Sequence, residues 1–254
     1  MNPLHQFEVV PVKPLMLGGW DLTITNQVIW TGIAVAALIV LMVAGITRMR
    51  MVPGRWQALV EMVVEFGRNL VRDVIGEGGE AFFPLILTLF LFLCGVNLVG
   101  MVPHGFSASS QVTITAFMGC MVFLLVVGVG VYVQGMHFFG MFLPHGTPWW
   151  LAPLIVPLEI ISFLVRPFTL AVRLSANMVA GHVMLKLFAS FAIMLLGIEG
   201  AHALTFNYAT AAGAVLPAIV LVILSALEVF VALLQAFIFT ILSCVYLNEA
   251  MHGH

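Results

Sequence analysis

The sequence predicts an all-α integral membrane protein, and three observations carry that prediction. Hydrophobic residues make up 62% of the 254-residue chain and charged residues only 8%, where a soluble globular chain carries about 25% charged residues. The apolar residues gather into long runs, each reaching the roughly 20 residues that a helix needs to cross a bilayer. Most of the charges inside those runs fall in the last two. The reading is of about five membrane-crossing helices, the last two long and steeply tilted as an antiparallel hairpin, plus one interfacial amphipathic helix. Residues 1–254 form a single membrane domain.

Residues 1–26 hold three prolines and a Gly18-Gly19 pair and read as an irregular lead-in. They lack the basic start of a signal peptide and are expected to be retained. Thr25 and Asn26 are candidates to cap the first crossing, 28–47. Arg48, Arg50 and Arg55 follow it, against Lys13 alone before it. The positive-inside rule then sets the N-terminus outside and the basic end in the cytoplasm.

Residues 56–75 differ in kind. Glu61, Glu65, Arg68 and Arg72 recur at steps of three and four, one stripe of a helix, with Trp56, Leu59, Val60 and Val71 among the apolar residues opposite. So balanced a helix belongs in the membrane interface; packing on soluble partners is the alternative. Gly76, Gly78 and Gly79 end it. The second crossing, 81–101, contains Pro84 and Asn97 and stops at Pro103. A polar, uncharged loop, HGFSASSQ, leads to the third, 112–134, which is apolar throughout. Trp149 and Trp150, with Pro144 and Pro153, give 134–156 the composition of an aromatic belt.

Pro157 suits the first position of a helix, and 157–197 then runs for about 60 Å, twice the hydrocarbon thickness. The stretch 212–249 is nearly as long. Turn signals for reentrant hairpins are missing, so each is read as one steeply tilted crossing, which returns the C-terminus to the cytoplasm.

Polar residues in these two stretches point to function. Arg173 lies mid-run, where a charge costs roughly 2.5–3.5 kcal/mol by insertion scales and a guanidinium cannot shed its proton. Glu159, Arg166 and Arg173 fall at seven-residue steps and share a face with Ser162 and Asn177. His182 lies nine residues past Arg173, about half a rotation away, and Lys186 follows one turn on. One face therefore looks to a partner and the other to the interior of this chain. The last stretch carries Ser225, Glu228 and Gln235. A hairpin turning near 204–205 pairs residues whose numbers sum to about 409; Arg173 with Gln235 and His182 with Glu228 both fit. Straight helices cannot bring both pairs face to face, so a long arginine reaching round or curvature near Gly181 is required. Gln235 also fits as plain helix–helix glue, and Lys186 as a snorkelling residue.

Other functions find less support. No GxSxG or HExxH motif is present, and His137 and His145 lack neighbouring ligands. The eight histidines cluster at ends and loops, unlike haem ligands. Cys94, Cys120 and Cys244 lie in separate apolar runs and read as small hydrophobes. No metal, no cofactor and no nucleic-acid partner are expected. A stand-alone proton or ion transporter is the alternative, although internal repeats are not evident.

The motifs RLSANMxAGH at 173–182 and LLQAFIF at 233–239, followed by Val245-Tyr246-Leu247, resemble subunit a of the F-type ATP synthase. PLHQFE at 3–8 and GVNLxGMxP at 95–103 are similar to that family too. The resemblance implies a non-catalytic stator that passes protons through two aqueous half-channels to a rotating ring. Its implied partners are the c-subunit ring, b-type peripheral stalk subunits, other ATP synthase subunits and the lipid bilayer. Arg173 matches the arginine facing the ring carboxylates, Asn177 and Gln235 match polar residues near it, and His182 and Glu228 match the pair lining the outer half-channel. In many bacterial members that acid and base are exchanged; the order here is mitochondria-like. Glu159, Arg166, Ser225 and Lys186 are further candidates to line the half-channels. Some bacterial members carry an acid in the loop near Ser109, which this chain lacks. Few lysines and many Val, Gly and Ala suit a bacterial inner membrane, with the mitochondrial inner membrane as the alternative.

Overall fold

The computed structural model describes residues 9–13, 16, 17, 20, 21, 23–47, 50–102, 105–135, 138, 140, 150–195 and 208–252. Six long helices make up the chain among these residues: α1 (Asn26–Ile46), α2 (Arg55–Ile75), α3 (Phe83–Gly100), α4 (Val112–Gln134), α5 (Ala152–Leu195) and α6 (Tyr208–His252). All but α2 are long and apolar enough to cross a membrane. The protein is thus an all-α, multi-pass membrane protein.

The lead-in departs from the sequence reading. It contains two short antiparallel strand pairs, β1 (Pro11–Lys13) with β4 (Ile24–Thr25) and β2 (Met16–Leu17) with β3 (Trp20–Asp21). Gly18-Gly19 between Met16-Leu17 and Trp20-Asp21 is a recognised hairpin signal. At the head of α1, Thr25 takes the capping position without a side-chain bond. Asn26 ties the lead-in down instead, its Oδ1 accepting from Val10 N–H at 3.2 Å.

α2 carries its apolar side inward, with Val60, Val71 and Ile75 buried. Gly45 lets α1 approach it: a Cβ there would lie 2.6 Å from Val60. Gly76 ends α2 at φ +86°, a backbone region that favours glycine. A 3₁₀ run, Glu77–Phe82, then moves the start of α3 to Phe83, beyond the expected residue 81.

α4 and α5 run antiparallel. Gly119 faces the Pro167 carbonyl closely enough that a Cβ would come within 2.7 Å, and the rings of Phe123 and Phe163 lie 5.1 Å apart. The main core gathers Leu93, Met118, Val122, Phe163, Leu174 and Phe239 from α3 to α6. Only 11% of the apolar stretch of α1 is buried, the same share as in α6, which leaves much of both helices to lipid or partner chains.

α5 begins at Ala152, five residues before the expected start at Pro157. Pro153 takes the first-turn place assigned to Pro157, which lies inside the helix together with Pro167. The hydrogen bond that Pro157 lacks would have gone to the carbonyl of residue 153, in the opening turn. At about 66 Å for 44 residues, α5 still exceeds any bilayer thickness. α6 extends past the expected 212–249 at both ends. The motif at 3–8, Arg48, Pro103, His137, Pro144, His145, Trp149, residues 196–197 and the turn at 204–205 lie outside the described residues.

Candidate functional site

Two contacts between α5 and α6 each set a basic side chain against an acidic one. About two-thirds of the way along α5, His182 Nδ1 lies 3.6 Å from Glu228 Oε1 near the middle of α6, with the side chains 11% and 8% exposed. That separation exceeds the roughly 2.7–3.2 Å of a hydrogen bond, and neither Glu228 oxygen has a hydrogen-bond partner among the described residues. Gly181 makes the meeting possible. A Cβ at this position would sit 2.6 Å from Glu228 Oε1, so the carboxyl occupies the space that a side chain would fill.

The second meeting is sixteen residues back along α5, about 24 Å along the axis. Arg166 donates through Nη1 to Glu249 Oε2. Its guanidinium carbon lies 4.9 Å from the centre of the Tyr246 ring and 5.7 Å from that of Phe163. The two contacts, 182 with 228 and 166 with 249, show the pair of helices to be antiparallel.

Between them, α5 presents two unlike faces. Leu170, Ala171, Leu174, Ser175 and Met178 are buried, whereas Arg173 is exposed. Arg173 makes no hydrogen bond or ion pair with a described residue, and the structure does not join it to Gln235, which is itself buried in α6. Asn177 is half-buried one turn on, as are Lys186, one turn past His182, and Glu159 near the start of α5. Ser225 is exposed on α6 and donates to the Val222 carbonyl of its own helix at 2.8 Å.

Two residues of the arrangement escaped the sequence reading of the site. Glu249 falls at the expected end of the last helix, where an acid is unremarkable. Asn97, on α3, is fully buried and donates through Nδ2 to the carbonyl of Ala232 at 3.0 Å. Ala232 lies one turn past Glu228, so this bond fixes the height of α6 beside the His182–Glu228 pair. An amide in an apolar helix was the available signal. Where α3 gives way to α4, Ser107, Ser109 and Ser110 are buried, and the Ser107 and Ser109 hydroxyls lie 3.3 Å apart.

The sequence profile of the ATP synthase A chain family matches residues 28–248. The chain belongs to that family. It is 43% identical to ATP synthase subunit a of Parvibaculum lavamentivorans, across the whole of this chain and 95% of that one. Subunit a of Agrobacterium fabrum is 42% identical over 99% of this chain and 98% of its own. The Rhodospirillum rubrum protein is 40% identical over 100% and 99%. The resemblance read from the 173–182 and 233–239 motifs therefore holds over nearly the full chain, and both motifs lie within the matched residues. Of the four residues in the two pairs that link α5 and α6, only His182 lies inside one of those motifs; Arg166 falls seven residues before the first and Glu228 five before the second.

Proposed function

We propose that this chain is the proton-translocating stator of a rotary F-type ATP synthase, non-catalytic by itself and seated in a bacterial inner membrane. The exposure of Arg173 carries the reading. A permanent cation on the outward face of an apolar helix, without a partner among the described residues, calls for an opposite charge from outside. An isolated charge facing lipid would cost several kcal/mol. A ring of c subunits presenting carboxylates supplies that charge in succession.

In this reading a ring carboxylate stays protonated while it faces lipid, because burial disfavours its ionised form. Beside Arg173, at about 4 Å and an effective dielectric near 20, ionisation gains roughly 4 kcal/mol. That is about three pKa units, enough to release the proton on arrival. The carboxylate then passes the fixed cation and reloads from the other half-channel, while the same positive charge repels protons that would leak directly across. His182, half a rotation from Arg173 on α5, and Glu228 on α6 line the outer half-channel: imidazole and carboxyl are both groups that take and return protons. Asn177 and Gln235 shape the surroundings of the arginine. Glu159, Ser225 and Lys186 flank the two routes, while Arg166, bonded to Glu249, holds α5 to α6, with the N-terminus outside and the C-terminus cytoplasmic. Peripheral stalk subunits of the b type hold the chain against the turning ring.

ATP-driven proton uptake into inverted vesicles tests this reading, with the parent compared to Arg173→Ala and assembly confirmed in both. Uptake in the variant is expected to fall to background. Undiminished uptake would remove Arg173 from the mechanism and the stator reading with it.

A further inference from the structure

We propose that the cavity between α2 and the start of α3 binds the phosphate of an acidic phospholipid headgroup, held by Arg68 and Arg72. The cavity has a volume of about 300 Å³ and is lined by Arg68, Val71, Arg72, Glu80 and Phe83. The two arginines are four residues apart, one turn of the same helix face, and both open onto this space.

Their surroundings leave both guanidiniums available. Arg68 lies over the Phe83 ring, 5.5 Å from its centre. Such a contact uses the flat face of the guanidinium and leaves its N–H edge for oxygen acceptors. Arg68 has no ion pair among the described residues. Arg72 faces Glu80 at 3.4 Å, but these side chains are 65% and 69% exposed, and ion pairs so exposed contribute little. The cavity therefore holds two cations against one loosely engaged acid. Glu61 accepts from Gln57 Nε2 at 2.8 Å, and both Glu61 and Glu65 line a separate cavity against α1, which the two arginines also border.

The source of the phosphate follows from what surrounds the charges. Val71 and Phe83 give the cavity an apolar floor. On the side of α2 away from the charged stripe, Leu59, Met62 and Phe66 are 42%, 70% and 41% exposed. A helix with exposed apolar residues on one side and charges on the other sits at the boundary of water and hydrocarbon, the level of lipid phosphates. Basic pockets at that level take acidic lipid headgroups. A free phosphate would meet the same guanidiniums but gain nothing from the apolar floor.

Native mass spectrometry tests the site on the chain purified with the subunits that accompany it. Phosphatidylglycerol, phosphatidylcholine, and phosphatidylglycerol with millimolar inorganic phosphate are titrated into the parent and into Arg68→Gln/Arg72→Gln. Each basic residue at a membrane surface is worth about a fivefold gain in binding, so the double variant should lose phosphatidylglycerol affinity by about thirtyfold. Phosphatidylcholine retention should not change. Equal retention of phosphatidylglycerol by the two proteins overturns the proposal. Displacement of the lipid by inorganic phosphate overturns the lipid source, because the site then serves a soluble anion. Should the double variant fail to assemble, Glu80→Gln decides: removing the competing acid should tighten phosphatidylglycerol binding several-fold, and unchanged or weaker binding sinks the idea.

Discussion

The two side-chain pairs that link α5 to α6 solve opposite problems with similar residues. At Arg166–Glu249 a cation meets a carboxylate directly, flanked by the rings of Tyr246 and Phe163. At His182–Glu228 the groups stand 3.6 Å apart, more deeply buried, and the carboxyl oxygens lack hydrogen bonds to described residues. Charge-assisted bonds between ions are among the strongest a protein makes, whereas an unbonded buried carboxyl is a net expense. The first arrangement holds two helices together. The second contributes little to holding anything, and a base and an acid kept just out of bonding range suit the exchange of protons.

The largest effect expected from breaking this contrast is at Glu228. Glu228→Gln keeps the shape and removes the exchangeable carboxyl proton. Loss of a positioned acid–base group commonly costs about a hundredfold or more, so ATP-driven uptake should fall at least that far in assembled complexes. Uptake near the parental rate would place the proton route elsewhere.

Next in size is Gly181→Ala. The new Cβ would meet Glu228 Oε1 at 2.6 Å, and the atom that must yield is the tip of a flexible side chain. The complex should therefore assemble while the carboxyl swings away from His182. Misplacements of about 1 Å can cost as much as a hundredfold in rate; a fall of about tenfold in uptake is expected here. An unaffected rate would mean that the pair need not be held at this distance.

Asn97→Leu acts at one remove. It deletes the bond to the Ala232 carbonyl, a stabilisation of about 1 kcal/mol, and frees α6 to shift beside Glu228. Uptake should drop about threefold, and Asn97→Gln should not restore it, because the longer side chain cannot present its amide at the same height. A variant that loses only thermal stability, with uptake intact, would make Asn97 plain packing.

The sequence disclosed these features unevenly. Crossings show because each is an apolar run longer than a core helix needs. The His182–Glu228 meeting was legible from register, since an antiparallel hairpin turning near 204–205 aligns them in depth. Arg173 and Gln235 satisfied the same arithmetic without meeting, because matching depth says nothing of rotation and α5 turns Arg173 outward. Arg166–Glu249 eluded it for a further reason: its numbers sum to 415 where 410 describes the other pair. The sum shifts by five residues between the two contacts, and no local pattern encodes that shift. Asn97 carries no charge, so its burial produces a weaker signal than that of Glu228.

The smallest effect on uptake is expected where the hairpin is clasped. Arg166→Met keeps the stem against Phe163 and Tyr246 and removes the charge opposite Glu249. With these side chains 25% and 31% exposed, the loss should lie between that of a surface pair and a buried one, about 2 kcal/mol. It should appear as a lower melting temperature of the solubilised complex, while uptake per assembled complex stays within about twofold. The exchange Arg166→Glu with Glu249→Arg sharpens the point. Each single reversal sets like charges together and should destabilise more than Arg166→Met; the double should recover at least half of that loss. If the double instead melts early yet pumps normally, the aromatic contacts of the guanidinium, rather than its ion pair, hold the two helices together here. If uptake collapses in Arg166→Met while assembly is intact, the Arg166–Glu249 clasp lies on the proton route, and the division between a holding pair and an exchanging pair is wrong.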